Sequence, residues 1–137
     1  MENKDLHAAA LDNALRYQAG TQTLAAGGAL RLETCMIHGQ AAIEADGDTG
    51  LRLAAGQYLI GFSADAAGGG SLGAVLALNG APLRYTAAGL SAAGSRDARL
   101  TLQTILHLRA PGTVTVVNSA DCALRYTDPV LTVVRLA

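Results

Sequence analysis

Hydrophobic and polar residues alternate with period two along most of the chain from about residue 30 onward, the pattern of strands whose successive side chains point to opposite faces. Gln57 to Asp65 shows it best. Tyr58, Ile60, Phe62 and Ala64 fall on one face, and Leu59, Gly61, Ser63 and Asp65 on the other. Leu100 to Arg109 repeats the pattern, with Leu100, Leu102, Leu106 and Leu108 opposite Thr101, Gln103, Ile105, His107 and Arg109. Val130 to Leu136 is apolar on both faces until Arg135. Further strands are expected at Leu30 to His38, Leu72 to Asn79, Pro82 to Thr86 and Thr113 to Asn118.

Turn signals separate these runs. Asn79-Gly80 is the strongest, because both residues tolerate positive φ and fit a two-residue type I′ hairpin. Asp46-Gly-Asp-Thr-Gly50, Ala110-Pro-Gly112 and Thr127-Asp-Pro129 mark others. The first stretch reads two ways: Lys4 to Arg16 is rich in helix formers, whereas Leu15-Arg-Tyr17 followed by Gly20 also reads as a strand ending at a turn. Many short strands split by Gly, Pro and Asn-Gly predict an all-β fold, a sandwich or jelly roll, as a single domain over residues 1–137. Leu72 to Leu78 and Val130 to Val134 are apolar on both faces. One face fills the core, and a symmetric oligomer is expected to cover the other.

Composition adds two exclusions. The formal net charge is -1 with no basic run, so nothing in the charge favours a nucleic-acid or anionic-membrane partner. Cys35 and Cys122 match no C-x-x-C spacing and read as two separate thiols rather than a metal or redox pair. The N-terminus has mixed charge and no apolar h-region, and no apolar run is long enough to span a bilayer, so a soluble protein without a secretory signal is expected.

Several segments imitate chemical motifs. Gly68-Gly-Gly70-Ser-Leu-Gly73 is a literal G-x-G-x-x-G, whose phosphate-binding use requires a crossover helix after the glycines. Only Ala-Val-Leu-Ala-Leu separates Gly73 from the Asn79-Gly80 turn, so the glycines are assigned to a loop between strands and no nucleotide cofactor is expected. Gly61-Phe-Ser63-Ala-Asp65 approaches a nucleophile elbow, but Asp65 occupies the second glycine position and the segment lies within a strand. A Ser63, His107 and Asp65 triad is therefore set aside, and no catalytic residue is assigned. Asp46 to Gly50, with Glu44 nearby, lacks the full ligand set of a calcium loop and reads as an acidic turn. His7, His38 and His107 share no zinc spacing, although three copies of His107 would meet an ion if its face lay on a threefold axis. Leu-Arg-Tyr occurs at Leu15-Arg16-Tyr17, Leu83-Arg84-Tyr85 and Leu124-Arg125-Tyr126; in a strand its Leu and Tyr share a face and its Arg points away. Arg84, Tyr85, Arg125 and Tyr126 form a candidate ligand patch.

The run LRLAAGQYLIGFSADAAGGGSLGAVLALNGAPL, followed by LTLQTILHL, GTVTVVNSA and a final LTVVRLA, resembles the bacterial tumour-necrosis-factor-like (TNF-like) jelly rolls related to the head of complement C-one-q. It is similar to the C-terminal domains of BclA-type exosporium glycoproteins. The match rests on Gly56-Gln-Tyr58, the Asn79-Gly80 turn, the Gly112 to Asn118 strand and the end Val133-Val-Arg-Leu-Ala137, and covers residues 50–137. The resemblance implies a ten-strand, two-sheet jelly roll assembled as a homotrimer. It also implies a non-enzymatic structural module of a bacterial spore or cell-surface layer, with other surface-layer proteins or glycans as partners. A ligand-binding head of a phage fibre or adhesin, reading a glycan or receptor, is the alternative. No Gly-X-Y tract precedes the domain, which departs from a stalked head. Tyr58, Phe62, Ile105, His107 and Val133 are the residues assigned to the trimer interface.

Overall fold

A computed structural model describes residues 13–18, 20–32, 34–39, 42–90 and 96–136. Two antiparallel sheets face each other across one hydrophobic core. The first holds β10 (Arg96–Leu108), β6 (Gly56–Gly68), β12 (Leu124–Arg135), β1 (Asn13–Gln18) and β3 (Thr34–Gly39) in that order, with β2 (Gln22–Leu24) also on β12. The second runs β4 (Ile43–Asp46), β5 (Gly50–Leu53), β11 (Gly112–Val117), β7 (Leu72–Leu78) and β8 (Ala81–Pro82), with β9 (Ala88–Leu90) also on β7.

Tyr58, Ile60, Phe62 and Ala64, which alternation groups on one face of β6, are all buried, as are Leu100, Leu102, Leu106 and Leu108 of β10. Leu51, Leu53, Leu72, Leu76, Val114 and Val116 meet them from the second sheet. The aromatic members carry polar ends that the core must satisfy. Tyr58 donates its hydroxyl to the Ala54 carbonyl at 2.8 Å, and Tyr126 donates to the Gly73 carbonyl at 2.5 Å, tying β12 to β7 across the sandwich. Phe62 and Tyr126 pack edge to face at 6.5 Å.

Asn79 (φ 51°) and Gly80 (φ 84°) both take the left-handed conformation, and Leu78 pairs with Ala81, so the two-residue hairpin predicted from Asn-Gly is present. The glycine-rich segment is the expected loop. Gly68 ends β6 in the first sheet, and Leu72 begins β7 in the second. For Asn13 to Gln18 the strand alternative holds; the rest of the Lys4 to Arg16 stretch lies outside the described residues.

Three expectations are corrected. Pro82 to Thr86 is not one strand: β8 stops at Pro82 and Arg84–Thr86 makes a 3-10 turn. There the Leu76 N–H donates to the Thr86 hydroxyl at 3.0 Å instead of to a backbone carbonyl, so a side chain bridges the gap in the ladder. Leu30 to His38 divides between the sheets, because the Leu30 N–H donates to the Val116 carbonyl of the second sheet while β3 starts at Thr34 in the first. Thr127-Asp-Pro129 is not a turn before a final strand but a bulge inside β12. Thr127 pairs with Asp65 and Val130 with Ser63, so β12 carries one extra residue, accommodated by Asp128 at φ 51°. The bulge reverses the alternation: Leu124 and Tyr126 point inward before it, Leu131 and Val133 after it.

Candidate functional site

The outer face of the first sheet follows directly from its register. Across β10, β6 and β12 the outward positions form rows: Ile105, Leu59 and Val134; Gln103, Gly61 and Thr132; Thr101, Ser63 and Val130; Arg99, Asp65 and Thr127. Polarity therefore changes along the sheet, from aliphatic at the β6 start to charged at the β6 end. Ile105 is 62% exposed, while Leu59 and Val134 beside it are half-buried. This is an apolar patch on an open sheet face, of the kind that marks a contact surface.

Between those ends β6 presents small residues. Gly61 has no side chain, and a Cβ there would lie 3.2 Å from the Thr132 hydroxyl, so a shallow groove of about 200 Å³ opens between Gln103, Thr101, Val130 and Thr132. A second depression of about 330 Å³ continues it over Ala67, between Arg99 and Arg125. Arg99 donates to Asp65 at 3.2 Å and to the Ser63 hydroxyl at 3.0 Å. Both ends of the Arg99–Asp65 pair are more than half exposed, so the pair adds little to stability and serves as local polarity. Ser63 and His107 stand six positions apart in the β6–β10 register, about 20 Å, which removes the paper triad.

The candidate interface residues divide. Ile105 and His107 project from β10 into solvent. Tyr58, Phe62 and Val133 lie in the core between the sheets, with 0–2% exposure, and have no surface to offer a neighbour. The face was inverted, and their partners in the rows above, Leu59, Gly61, Thr132 and Val134, hold the outer positions.

The candidate ligand patch also divides. Arg125 projects from β12 on the first sheet, while Tyr126 is buried and bonded to Gly73. Burial pushes the Tyr126 phenol well above the usual tyrosine range, and the electrostatic effect of the neighbouring Cys122 adds to it. Arg84 and Tyr85 occupy the 3-10 turn beside the second sheet, with Tyr85 68% exposed. The patch is thus not one surface. The Asp46 to Gly50 segment closes the β4–β5 hairpin, and Asp46 accepts the Thr113 hydroxyl at 2.7 Å.

Sequence reasoning passed over Asn118 and Gln22, two buried polar residues. Asn118 donates to the Leu24, Ala25 and Cys122 carbonyls and accepts from the Ala120 N–H, and Gln22 exchanges two hydrogen bonds with the Arg31 backbone. Both knit loops to strands. The signal available was a single amide at a strand end, which reads equally as a surface residue.

No helix among the described residues is long and apolar enough to cross a membrane. No protein-family model matches the chain, and no curated protein matches it in sequence. Solved structures do match in shape. Eiger TNF from S. frugiperda aligns over 91% of this chain and 92% of its own, with TM-score 0.75 and 13% identity. Murine APRIL at pH 5.0 aligns over 90% and 99%, with TM-score 0.70 and 14% identity. The globular domain of zebrafish complement 1qA protein aligns over 91% and 98%, with TM-score 0.69 and 13% identity. Two antiparallel sheets in this order, matched over nine-tenths of the chain by TNF and complement globular domains, give this protein the TNF-like jelly-roll fold.

Proposed function

We propose that the protein is a non-enzymatic assembly module that forms a homotrimer through the outer face of its first sheet. The observation that carries this is the row Ile105, Leu59 and Val134, where a large aliphatic side chain is 62% exposed beside two half-buried ones. Removing Ile105 from water stabilises a complex by about 1–2 kcal/mol per copy. A closed symmetric assembly repeats that gain at each interface. The TNF-like fold supports three copies rather than two. Gln103, Thr101, Thr132 and the Arg99–Asp65 pair form the polar remainder of the same face, the usual composition around an apolar contact. The finer placement, in a bacterial spore or cell-surface layer, rests on the resemblance of residues 50–137 to BclA-type C-terminal domains read from the sequence.

Sedimentation equilibrium tests the assembly. The protomer mass is 13.9 kDa, and a species of about 42 kDa is expected for a closed trimer. Ile105→Glu places a charge in the apolar row without touching the core, and should give a folded protomer that no longer associates. A wild-type protein that stays at protomer mass across concentrations would overturn the proposal.

A further inference from the structure

The opposite side of the sandwich carries a further depression that the assembly proposal does not use. It has a volume of about 370 Å³ and lies between β7, the 3-10 turn and the segment after β11. Val75, Val117, Pro82 and Ala87 supply its apolar lining, with Arg84 and Ser119 at the same site. The polar inventory is one-sided. The Asn118 side chain, also at this site, is fully committed to Leu24, Ala25, Cys122 and Ala120. Among the described residues, the Arg84 guanidinium and Ser119 hydroxyl make no side-chain hydrogen bond, and no carboxylate lines the depression. What remains is five guanidinium N–H donors and one hydroxyl over an aliphatic floor. A neutral ligand would leave the guanidinium unanswered, whereas a carboxylate matches its planar fork.

We propose that this depression binds a carboxylate attached to a compact apolar body, with the carboxylate on Arg84 and the body against Val75 and Val117. Two sources share that chemistry, a free small acid and the C-terminal residue of a peptide. Tyr85, 68% exposed next to Arg84, widens the apolar rim. The site lies on the second sheet, so trimerisation through the first leaves a copy open on each protomer, and the inference stands whether or not the protein assembles.

The test is an amide NMR titration of the whole chain with hydrocinnamate and with acetyl-diglycyl-leucine, each beside its uncharged amide. Saturable shifts confined to residues 75, 84–87 and 117–120 are expected, with the acid favoured over the amide by about tenfold. Response to hydrocinnamate alone assigns a free acid, response to the peptide alone assigns a chain terminus, and either supports the site. Arg84→Gln should abolish the preference for the acid, and Ala87→Phe, at an exposed position, should block both acids by filling the depression. The proposal is overturned by no saturable shift with either acid, by equal affinity for acid and amide, or by a preference that survives Arg84→Gln.

Discussion

Strands β7 and β12 carry the same sequence signal, apolar residues on both faces, yet the fold resolves them differently. Leu72, Ala74 and Leu76 of β7 join the core, while Val75 and Ala77 on its second face are 4% and 2% exposed within the protomer. The chain itself provides that cover. Residues 81–90 run back along the β7 edge through β8, the 3-10 turn and β9, and Ala77 is flanked in register by Thr115 and Pro82. Strand β12 buries Leu131 and Val133 inward, but Val130, Thr132 and Val134 remain half-buried beside the exposed Ile105. A two-faced apolar strand therefore signals only that a second cover exists. It does not say whether the cover is the same chain or another copy.

Protein concentration separates the two cases. Val75→Ala removes methyl groups that are already covered, and should lower unfolding stability by about 2 kcal/mol at every protein concentration. Val134→Asp should leave the dilute protomer close to wild type yet abolish association, so its stability deficit grows as the wild-type protein assembles. Urea denaturation across a hundredfold range of concentration checks both. If Val75→Ala became milder on dilution, or Val134→Asp were equally harmful at every concentration, the contrast between the strands would be lost.

What the sequence made legible, and what it hid, follows the same division. The grouping of residues by face in β6 and β10 and the Asn79-Gly80 hairpin are local properties, set by alternation and by backbone conformations that Asn and Gly tolerate. The interface assignment failed at Tyr58, Phe62 and Val133 because a large aromatic or branched residue satisfies a core and a contact face equally well. Nothing in a single strand says which face is inward until its partner sheet is placed. The β12 bulge was hidden for a related reason: Asp128-Pro129 is a turn signal, and only pairing with β6 on both sides of it keeps the strand continuous. Arg84 and Tyr85 came off their predicted strand because Thr86 replaces a ladder bond with its hydroxyl, a substitution that alternation cannot express.

Gly68 gives an intermediate effect, at the point where the chain leaves the open sheet for the self-covered one. A Cβ at this position would stand 2.4 Å from Leu124 Cδ2 and 3.3 Å from the Ala123 carbonyl oxygen, and Leu124 is fully buried. Gly68→Ala should thus cost about 1–3 kcal/mol through overpacking. Gly69→Ala, with open space around it, should be close to neutral. Thermal melts of the two variants would distinguish close packing from simple loop flexibility as the reason for the glycine run, and equal losses would favour flexibility.

The smallest contrast is between two tyrosines from the same Leu-Arg-Tyr tripeptide. Tyr85 is exposed on the 3-10 turn, whereas Tyr126 is buried and donates to the Gly73 carbonyl. Tyr126→Phe keeps the ring against Phe62 but leaves that carbonyl without its donor, so a loss of about 1–2 kcal/mol is expected, and Tyr85→Phe should cost nothing measurable. Alkaline pH sharpens the difference. Burial raises the folded-state pKa of Tyr126 above the ordinary 10.0, and burial raises Tyr58 as well, opposed by the Arg135 charge. Below pH 10 both phenols are protonated in folded and unfolded chains alike. Above it the unfolded chain releases protons that the folded chain retains, so stability falls as pH rises, with a limiting slope of about 1.4 kcal/mol per pH unit for each such tyrosine. Tyr126→Phe removes one of the two contributions. Urea midpoints measured from pH 8 to pH 11 should therefore decline less steeply in Tyr126→Phe than in the wild type, while Tyr85→Phe follows the wild-type curve. Identical slopes for Tyr126→Phe and wild type would mean that the phenol reaches solvent before the fold opens, and that the tie between β12 and β7 is not part of the cooperative core.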